Sequence, residues 1–251
     1  MFEKDFDNRF LRTKLLLGAD NLEKLHRAKV TIVGLGAVGS FAGEALVRSG
    51  VGNVRLIDFD KVSETNINRC LLATQDSIGE YKVFVAKKRY EEINPKCNIE
   101  AYNEFISKEN INLLLENDPN VIVDAIDSVN PKVNILEEIS KTDIPIISSM
   151  GAALKTDPFS VHVSSIHNTI NCTLAKWVRK NLRKRGVTKD ITCVYSSELP
   201  KNEAVVNTEL LNETREYDRG RERNTMGSMI IIPGIFGLTI AKLAIEKILK
   251  Y

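Results

Sequence analysis

Between residues 30 and 60 the chain passes through a short apolar run, Val30-Thr31-Ile32-Val33, and then Gly34-x-Gly36-x-x-Gly39. A helix-like stretch over 41–48 follows, then a second apolar run, Val54-Arg55-Leu56-Ile57, which ends in Asp58-Phe59-Asp60. A strand, a glycine turn, a helix and a strand closed by a carboxylate leave few folds open. They predict an α/β fold in which a phosphate is met by backbone N–H groups at a helix N-terminus, where the helix adds partial positive charge. Asp58 stands about 20 residues further on, where a carboxylate reaches ribose hydroxyls. The competing reading is a glycine turn that only packs a helix on a strand.

The residues that follow bear on which nucleotide this is. Thr65-Asn66-x-Asn68-Arg69, Gly79-x-x-Lys82 and Asp124-x-x-Asp127 come in that order, the last after another apolar run. A dinucleotide whose pyrophosphate is held by amides needs neither Arg69 nor Lys82, whereas a triphosphate carries more charge and uses both. Asp127 at a strand end suits Mg²⁺ bridging phosphate oxygens. ATP fits these residues better than NAD.

Gly34-Leu35-Gly36-Ala37-Val38-Gly39-Ser40, Leu56-Ile57-Asp58-Phe59-Asp60, Thr65-Asn66-Ile67-Asn68-Arg69, Lys82 and Asp124-Ala125-Ile126-Asp127-Ser128 resemble the adenylating superfamily. That group includes the ubiquitin-activating enzymes and the activators of sulfur-carrier proteins. The resemblance covers about residues 5–165, with five motifs in order. A finer likeness, to the tRNA threonylcarbamoyladenosine dehydratases, rests on Asp127-Ser128-Val129-Asn130-Pro131-Lys132, on Leu174-Ala175-Lys176 with the basic segment after it, on Cys193-Val194-Tyr195-Ser196-Ser197-Glu198, and on total length.

The resemblance implies a Rossmann-like, mostly parallel sheet with helices on both faces, extended by mixed strands and a C-terminal helix. It implies ATP held by Gly34, Gly36, Gly39, Asp58, Asp60, Asn66, Asn68, Arg69, Lys82, Asp127 and Ser128, with Mg²⁺ on Asp127. Catalysis would fall to Arg69, Lys82 and Asp127. It also implies a homodimer in which an N-terminal arginine, Arg9 or Arg12, reaches the partner subunit's ATP. The implied reaction is ATP-dependent cyclisation of threonylcarbamoyladenosine beside the anticodon of a tRNA, through adenylation of its carboxylate. The alternative is adenylation of the C-terminal glycine of a ubiquitin-like sulfur carrier. An NAD-dependent oxidoreductase leaves Arg69, Lys82 and Asp127 without a purpose, and a silent interaction subunit would have no reason to keep them.

Composition narrows the alternatives. The 251 residues are 43% apolar, enough for a real core, and the net charge is +2. That balance neither announces nor excludes a nucleic-acid partner. Cys70, Cys97, Cys172 and Cys193 form no CxxC pair. With no signal peptide apparent, they read as thiols of a cytoplasmic protein without a disulfide framework. They also speak against the Cys₄ zinc site found in many sulfur-carrier activators. A sulfur-transfer partner is left open. Cys193, in a strand-like run, reads as an inert buried thiol.

The chain is expected to form a single domain, with an N-terminal helical segment (1–29), a nucleotide-binding core (30–150) and a substrate and tRNA extension (151–251). In the first segment Leu15, Leu16, Leu22 and Leu25 recur at helical spacing. Further helices are predicted over 82–92, 107–117, 132–140 and 174–185, and strands over 97–105, 121–123, 144–149, 160–163 and 192–196. Residues 200–227 hold no apolar period and are expected to form a mobile loop or crossover. Arg179, Lys180, Arg183 and Lys184 on the basic helix, with Arg219 and Arg221 in the later polar stretch, form the candidate track for an RNA backbone. Trp177 and Tyr217 offer stacking faces. The apolar run of 229–249 is broken by Pro233, Gly234, Gly237, Lys242 and Glu246, so it is expected to be a buried terminal helix with no membrane insertion.

Overall fold

The computed structural model describes residues 8–200 and 226–250. Seven strands form one sheet: β1 (Lys29–Val33), β2 (Asn53–Ile57), β3 (Asn98–Tyr102), β4 (Val121–Asp124), β5 (Ile146–Ser149), β6 (Val161–Ser165) and β7 (Thr192–Ser196). Their order is β3-β2-β1-β4-β5-β7-β6. All neighbours are parallel except β6 and β7, which pair antiparallel with Val163 opposite Val194. Strand order reverses between β1 and β4, so the loops leaving those two strands diverge and open a crevice at their C-terminal ends.

Among the described residues seven α-helices surround the sheet: α1 (Leu11–Leu17), α2 (Ala19–Arg27), α3 (Gly39–Ser49), α4 (Lys82–Ile93), α5 (Val129–Ser140), α6 (Thr173–Lys184) and α7 (Ile231–Leu249). Side chains alternate across a strand, and the central strands feed two apolar layers. Val30, Ile32, Val121, Val123, Ile147 and Val194 pack on one face with residues of α3, α4 and α7. Ile57, Ile122, Ile146, Cys193 and Tyr195 pack on the other with residues of α5 and α6. Burial on both faces explains the unbroken β-branched runs.

One expectation fails locally. The stretch 107–117 is no regular helix and forms only a 3₁₀ turn, Ile111–Leu114. The carbonyls a helix would need are engaged elsewhere. The buried Arg55 guanidinium donates to Leu113 O at 2.8 Å and Glu116 O at 2.9 Å, and is ion-paired to Glu100 at 2.6 Å. Asn110 Oδ1 accepts from Ser107 N at 2.8 Å, and such local side-chain bonds compete with helix formation. At the N-terminus, Gly18 at φ 87° divides α1 from α2. Leu22 and Leu25 are buried, but Leu15 and Leu16 are 77% and 82% exposed, so α1 does not join the core. Among the described residues no helix is long and apolar enough to cross a membrane.

The terminal helix α7 lies against α3, the helix that begins at the glycine turn. A Cβ at Gly237 would stand 2.5 Å from Val38 O and 2.6 Å from Phe41 Cβ, whereas one at Gly234 would touch the Phe41 ring at an ordinary 3.4 Å. Gly237→Ala is therefore expected to lower the unfolding free energy by ~1–3 kcal/mol through overpacking, and Gly234→Ala by far less. Urea denaturation compares the two; equal effects would show that α7 and α3 are not in that contact.

Candidate nucleotide site

The three glycines of the turn do different jobs. Gly34, at φ 90°, needs left-handed backbone, and a Cβ there would lie 2.9 Å from Ala125 C and O. A Cβ at Gly39 would sit 1.8 Å from Gly34 O. Both are required by the protein's own packing. At Gly36 an added Cβ meets nothing within 4 Å. The fold does not need that glycine, but a ligand approaching the turn backbone does. α3 opens at Gly39 and presents its N-terminus to the same space, a ready anion site.

Asp58 leaves the end of β2 and binds back across the turn. Its Oδ2 accepts from Leu35 N at 2.5 Å and its Oδ1 from Asp60 N at 2.7 Å. Burial raises its pKa, with the neighbouring Asp60 adding to the rise and Lys82 opposing it. Lys82 opens α4 and is buried, its Nζ 2.8 Å from Asp60 Oδ2. Burial opposes its charge, yet Asp58 and Asp60 outweigh that and push its pKa up, so it stays an ammonium. Lys82 is thus buried and tied to Asp60 instead of projecting as a free point charge.

The segment carrying the asparagines and arginine is docked on the turn. Cys70 Sγ donates to Leu35 O at 3.6 Å, and Leu71 N donates to Ser40 Oγ at 3.2 Å. Asn66 Oδ1 accepts from Ser63 N at 3.3 Å in a capping box over Glu64–Asn66. Asn68 Nδ2 donates to Ser228 O at 2.9 Å. Arg69 Nη1 donates to Thr65 O at 2.6 Å and to Asn68 Oδ1 at 2.9 Å, neither of them charged. Half-exposed beside the turn, Arg69 is a cation whose two bonds there leave its charge to an anion.

The third wall comes from the loop after β4. Ala125 N donates to Val33 O at 2.8 Å, which fixes the loop against the end of β1. Asp127, two residues on, is exposed. Ser128 Oγ donates to it at 3.3 Å, and Ser128 itself occupies the N-cap position of α5. Asp127 is therefore one position outside the cap. Among the described residues no group of three or more His, Cys, Asp and Glu is placed to hold an ion alone. Mg²⁺ suits such a site, since it is held by one or two carboxylates together with substrate phosphates.

Sequence reasoning missed two buried lysines. Lys132 Nζ is 2.6 Å from Asp124 Oδ2 and 3.2 Å from Ser148 Oγ, with all three side chains inaccessible. Lys155 Nζ donates to the carbonyls of Ser196 at 3.2 Å, Asn171 at 3.3 Å and Glu198. The Glu198 carboxylate in turn accepts from Thr156 N at 2.8 Å and Asp157 N at 2.9 Å. This accounts structurally for the Cys193–Glu198 motif, whose exit it fastens. The available signal was an acid at the end of an apolar strand and a lysine among buried positions.

The other candidates fall outside this cleft. Arg9 and Arg12 are exposed near the start of the described chain. On α6, Arg179 turns inward: its guanidinium donates to Ile166 O at 3.1 Å, Thr169 O at 3.0 Å and the Thr169 hydroxyl. That removes it from the expected RNA track. Lys180, Arg183 and Lys184 are exposed, and Lys180 Nζ lies 4.9 Å from the centre of the exposed Trp177 ring. Arg219, Arg221 and Tyr217 lie outside the described residues. Burial pushes the Cys193 thiol up to about 12, which leaves it a protonated packing group.

A glycine turn, a β2 carboxylate, an arginine segment docked on that turn and an acid beyond β4 thus surround one crevice. The ThiF family pattern matches residues 8–251. The chain belongs to the ThiF family. Among its curated relatives, the tRNA threonylcarbamoyladenosine dehydratase of Bacillus subtilis is 36% identical over 245 residues, 97% of this chain and 95% of the relative. The enzyme of the same name from Escherichia coli is 31% identical over 252 residues, 96% and 93% of the two chains. A crystal structure of E. coli tRNA N6-threonylcarbamoyladenosine dehydratase in complex with ATP matches with a TM-score of 0.86 at 30% identity, covering 96% of this chain and 94% of that one.

The unequal roles of the glycines in this ThiF-family turn are testable. Gly36→Val is expected to keep the parent's melting temperature within a few degrees while weakening ATP binding at least about tenfold, because the added side chain fills only the ligand's approach. Gly39→Ala is expected to fail to fold. Calorimetric titration with ATP and a thermal melt on each variant give the answer; intact ATP binding in Gly36→Val would remove the phosphates from the turn.

Proposed function

We propose that this chain is an ATP-dependent tRNA threonylcarbamoyladenosine dehydratase, which activates the carboxylate of that nucleoside as an adenylate and lets it cyclise. The observation that carries the reading is the cleft itself: an open Gly36, an arginine meeting no carboxylate in its bonds there, and Asp127 beyond β4, in a chain that follows the ATP-bound dehydratase over nearly its whole length.

A free carboxylate is a poor acyl donor because oxide would have to leave. In the first step a carboxylate oxygen bonds to the α-phosphorus of ATP and the bond to the bridging oxygen breaks, releasing pyrophosphate. In the second, the ureido oxygen attacks the activated carbonyl carbon. AMP departs with the former carboxylate oxygen, and a ureido nitrogen gives up its proton as the five-membered ring closes. The nucleophile of the first step is already an anion, so no base is required there. The second step is intramolecular, so positioning does the work of a second substrate.

The residues divide this labour by charge. The turn amides and the α3 N-terminus receive phosphate oxygens, and Asp58 is set for the ribose. Arg69 opposes charge developing on the α-phosphate, a contribution of the kind that preorganised donors make. Lys82, neutralised by Asp60, orders the ribose side more than it attracts phosphate. Asp127 would hold Mg²⁺, which would supply charge neutralisation between phosphate oxygens. A homodimer belongs to this reading: α1 exposes Leu15 and Leu16, and Arg9 or Arg12 beside them would serve the partner subunit's ATP. The tRNA backbone is assigned to Lys180, Arg183 and Lys184, with Trp177 as a stacking face.

ATP–pyrophosphate exchange tests the function. Total tRNA carrying the modified adenosine is expected to stimulate it, and a sulfur-carrier protein is not; stimulation by the carrier alone would move the assignment to carrier adenylation. Arg69→Ala and Asp127→Ala are each expected to lose exchange by about 10²-fold or more, with unchanged melting. Reversing Lys180 and Arg183 to glutamate is expected to raise KM for tRNA and flatten its salt dependence while leaving ATP affinity unaltered. A tRNA KM that does not move would take α6 out of the RNA interface.

A further inference from the structure

The reaction just described makes no use of Lys132, although its surroundings are the most heavily buried charged ones in the described structure. Lys132, Asp124 and Ser148 are all 0% exposed. Removing an ion pair from water is expensive, and an apolar replacement of equal volume is often as stable or more so, so stability is a poor reason for such a pair. The lysine also stands in the first turn of α5, where a cation opposes the helix dipole. Two unfavourable placements of one charge ask for a compensating role.

The hydrogen bonds indicate what that role is. Asp124 Oδ2 accepts from Lys132 Nζ at 2.6 Å and from Ser148 Oγ at 2.7 Å, while its Oδ1 accepts from Ile126 N at 3.2 Å. One carboxylate thus ties the end of β4, the neighbouring strand β5, the first turn of α5 and the backbone of the loop between. Ala125 in that loop is the wall against which Gly34 packs, and Asp127 is the next residue after the bonded Ile126. We infer that Lys132 is a positioning residue for the nucleotide site: acting through Asp124, its ammonium fixes where the loop holds Asp127 relative to the glycine turn. Lys132 itself touches no substrate. The inference rests on the functional reading above only in taking the cleft to bind ATP.

The test separates positioning from plain stability. The paired variant Asp124→Asn/Lys132→Met removes both charges together, so no lone charge is left buried. In the full-length chain it is expected to melt within a few degrees of the parent without nucleotide, yet to bind MgATP about tenfold more weakly by calorimetry. Because the effect runs through Asp127, the same pair introduced into Asp127→Ala is expected to cost less than a further twofold. A purely structural role would lower the melting temperature and multiply with Asp127→Ala instead. Ser148→Ala, which deletes one hydroxyl, is expected to weaken binding about threefold with the same non-additivity, and it keeps the question decidable should the paired variant not fold. Unchanged MgATP affinity, or losses that multiply, would overturn the inference alone. A parent protein that binds no MgATP would overturn the functional reading and this inference together.

Discussion

The approach of Gly39 to the carbonyl of Gly34 is the contact on which the cleft depends. With no room for a methyl group between them, the turn closes within a few residues and α3 starts directly above the end of β1. That contact places the helix N-terminus and the turn amides on one side of the crevice. Gly34 resting on Ala125 then brings the β4 loop to the other side. The reversal of strand order opens the crevice, and these two glycines set its width.

Charge is arranged in layers beneath that opening. Asp58, Asp60 and Lys82 form a buried set at the end of β2 and the start of α4, while Asp124 and Lys132 form another at the end of β4. Asp60 is paired with Lys82 and Asp124 with Lys132, Asp58 is held by the Leu35 and Asp60 amides, and Arg69 is a cation near the turn whose described bonds go to uncharged acceptors. An incoming polyanion therefore meets a site in which Asp60 and Asp124 are already ion-paired and Arg69 is not bonded to an acid in its described bonds. Preorganisation of this kind avoids reorienting dipoles during the reaction.

Much of this was legible in the residues. The glycine spacing and the β-branched runs of β1, β2 and β4 announced the nucleotide unit, because buried parallel strands carry their own pattern. What escaped was set by tertiary partners. The stretch at 107–117 has helical periodicity, but Arg55, more than fifty residues away, captures the carbonyls that a helix would use. Arg179 looked like part of a basic surface until its guanidinium was found sealing the Ile166 and Thr169 carbonyls. Lys132 and Lys155 left only a faint signal, a lysine among apolar positions, which does not by itself mark the side chain as inward-facing.

The packing of α7 on α3 has a consequence for how the protein comes into being. The glycine turn is made early, but the helix that covers its far side is residues 231–249, and Ser228, just before that helix, is what Asn68 binds. Until residues 228–249 emerge from the ribosome, the apolar back of α3 has no cover and the Asn68 segment lacks its brace. Long-range closure of this sort slows folding and leaves partly built chains prone to association. The helix of the glycine turn is therefore backed only once α7 has been made, and the residues before α7 do not form a self-sufficient half.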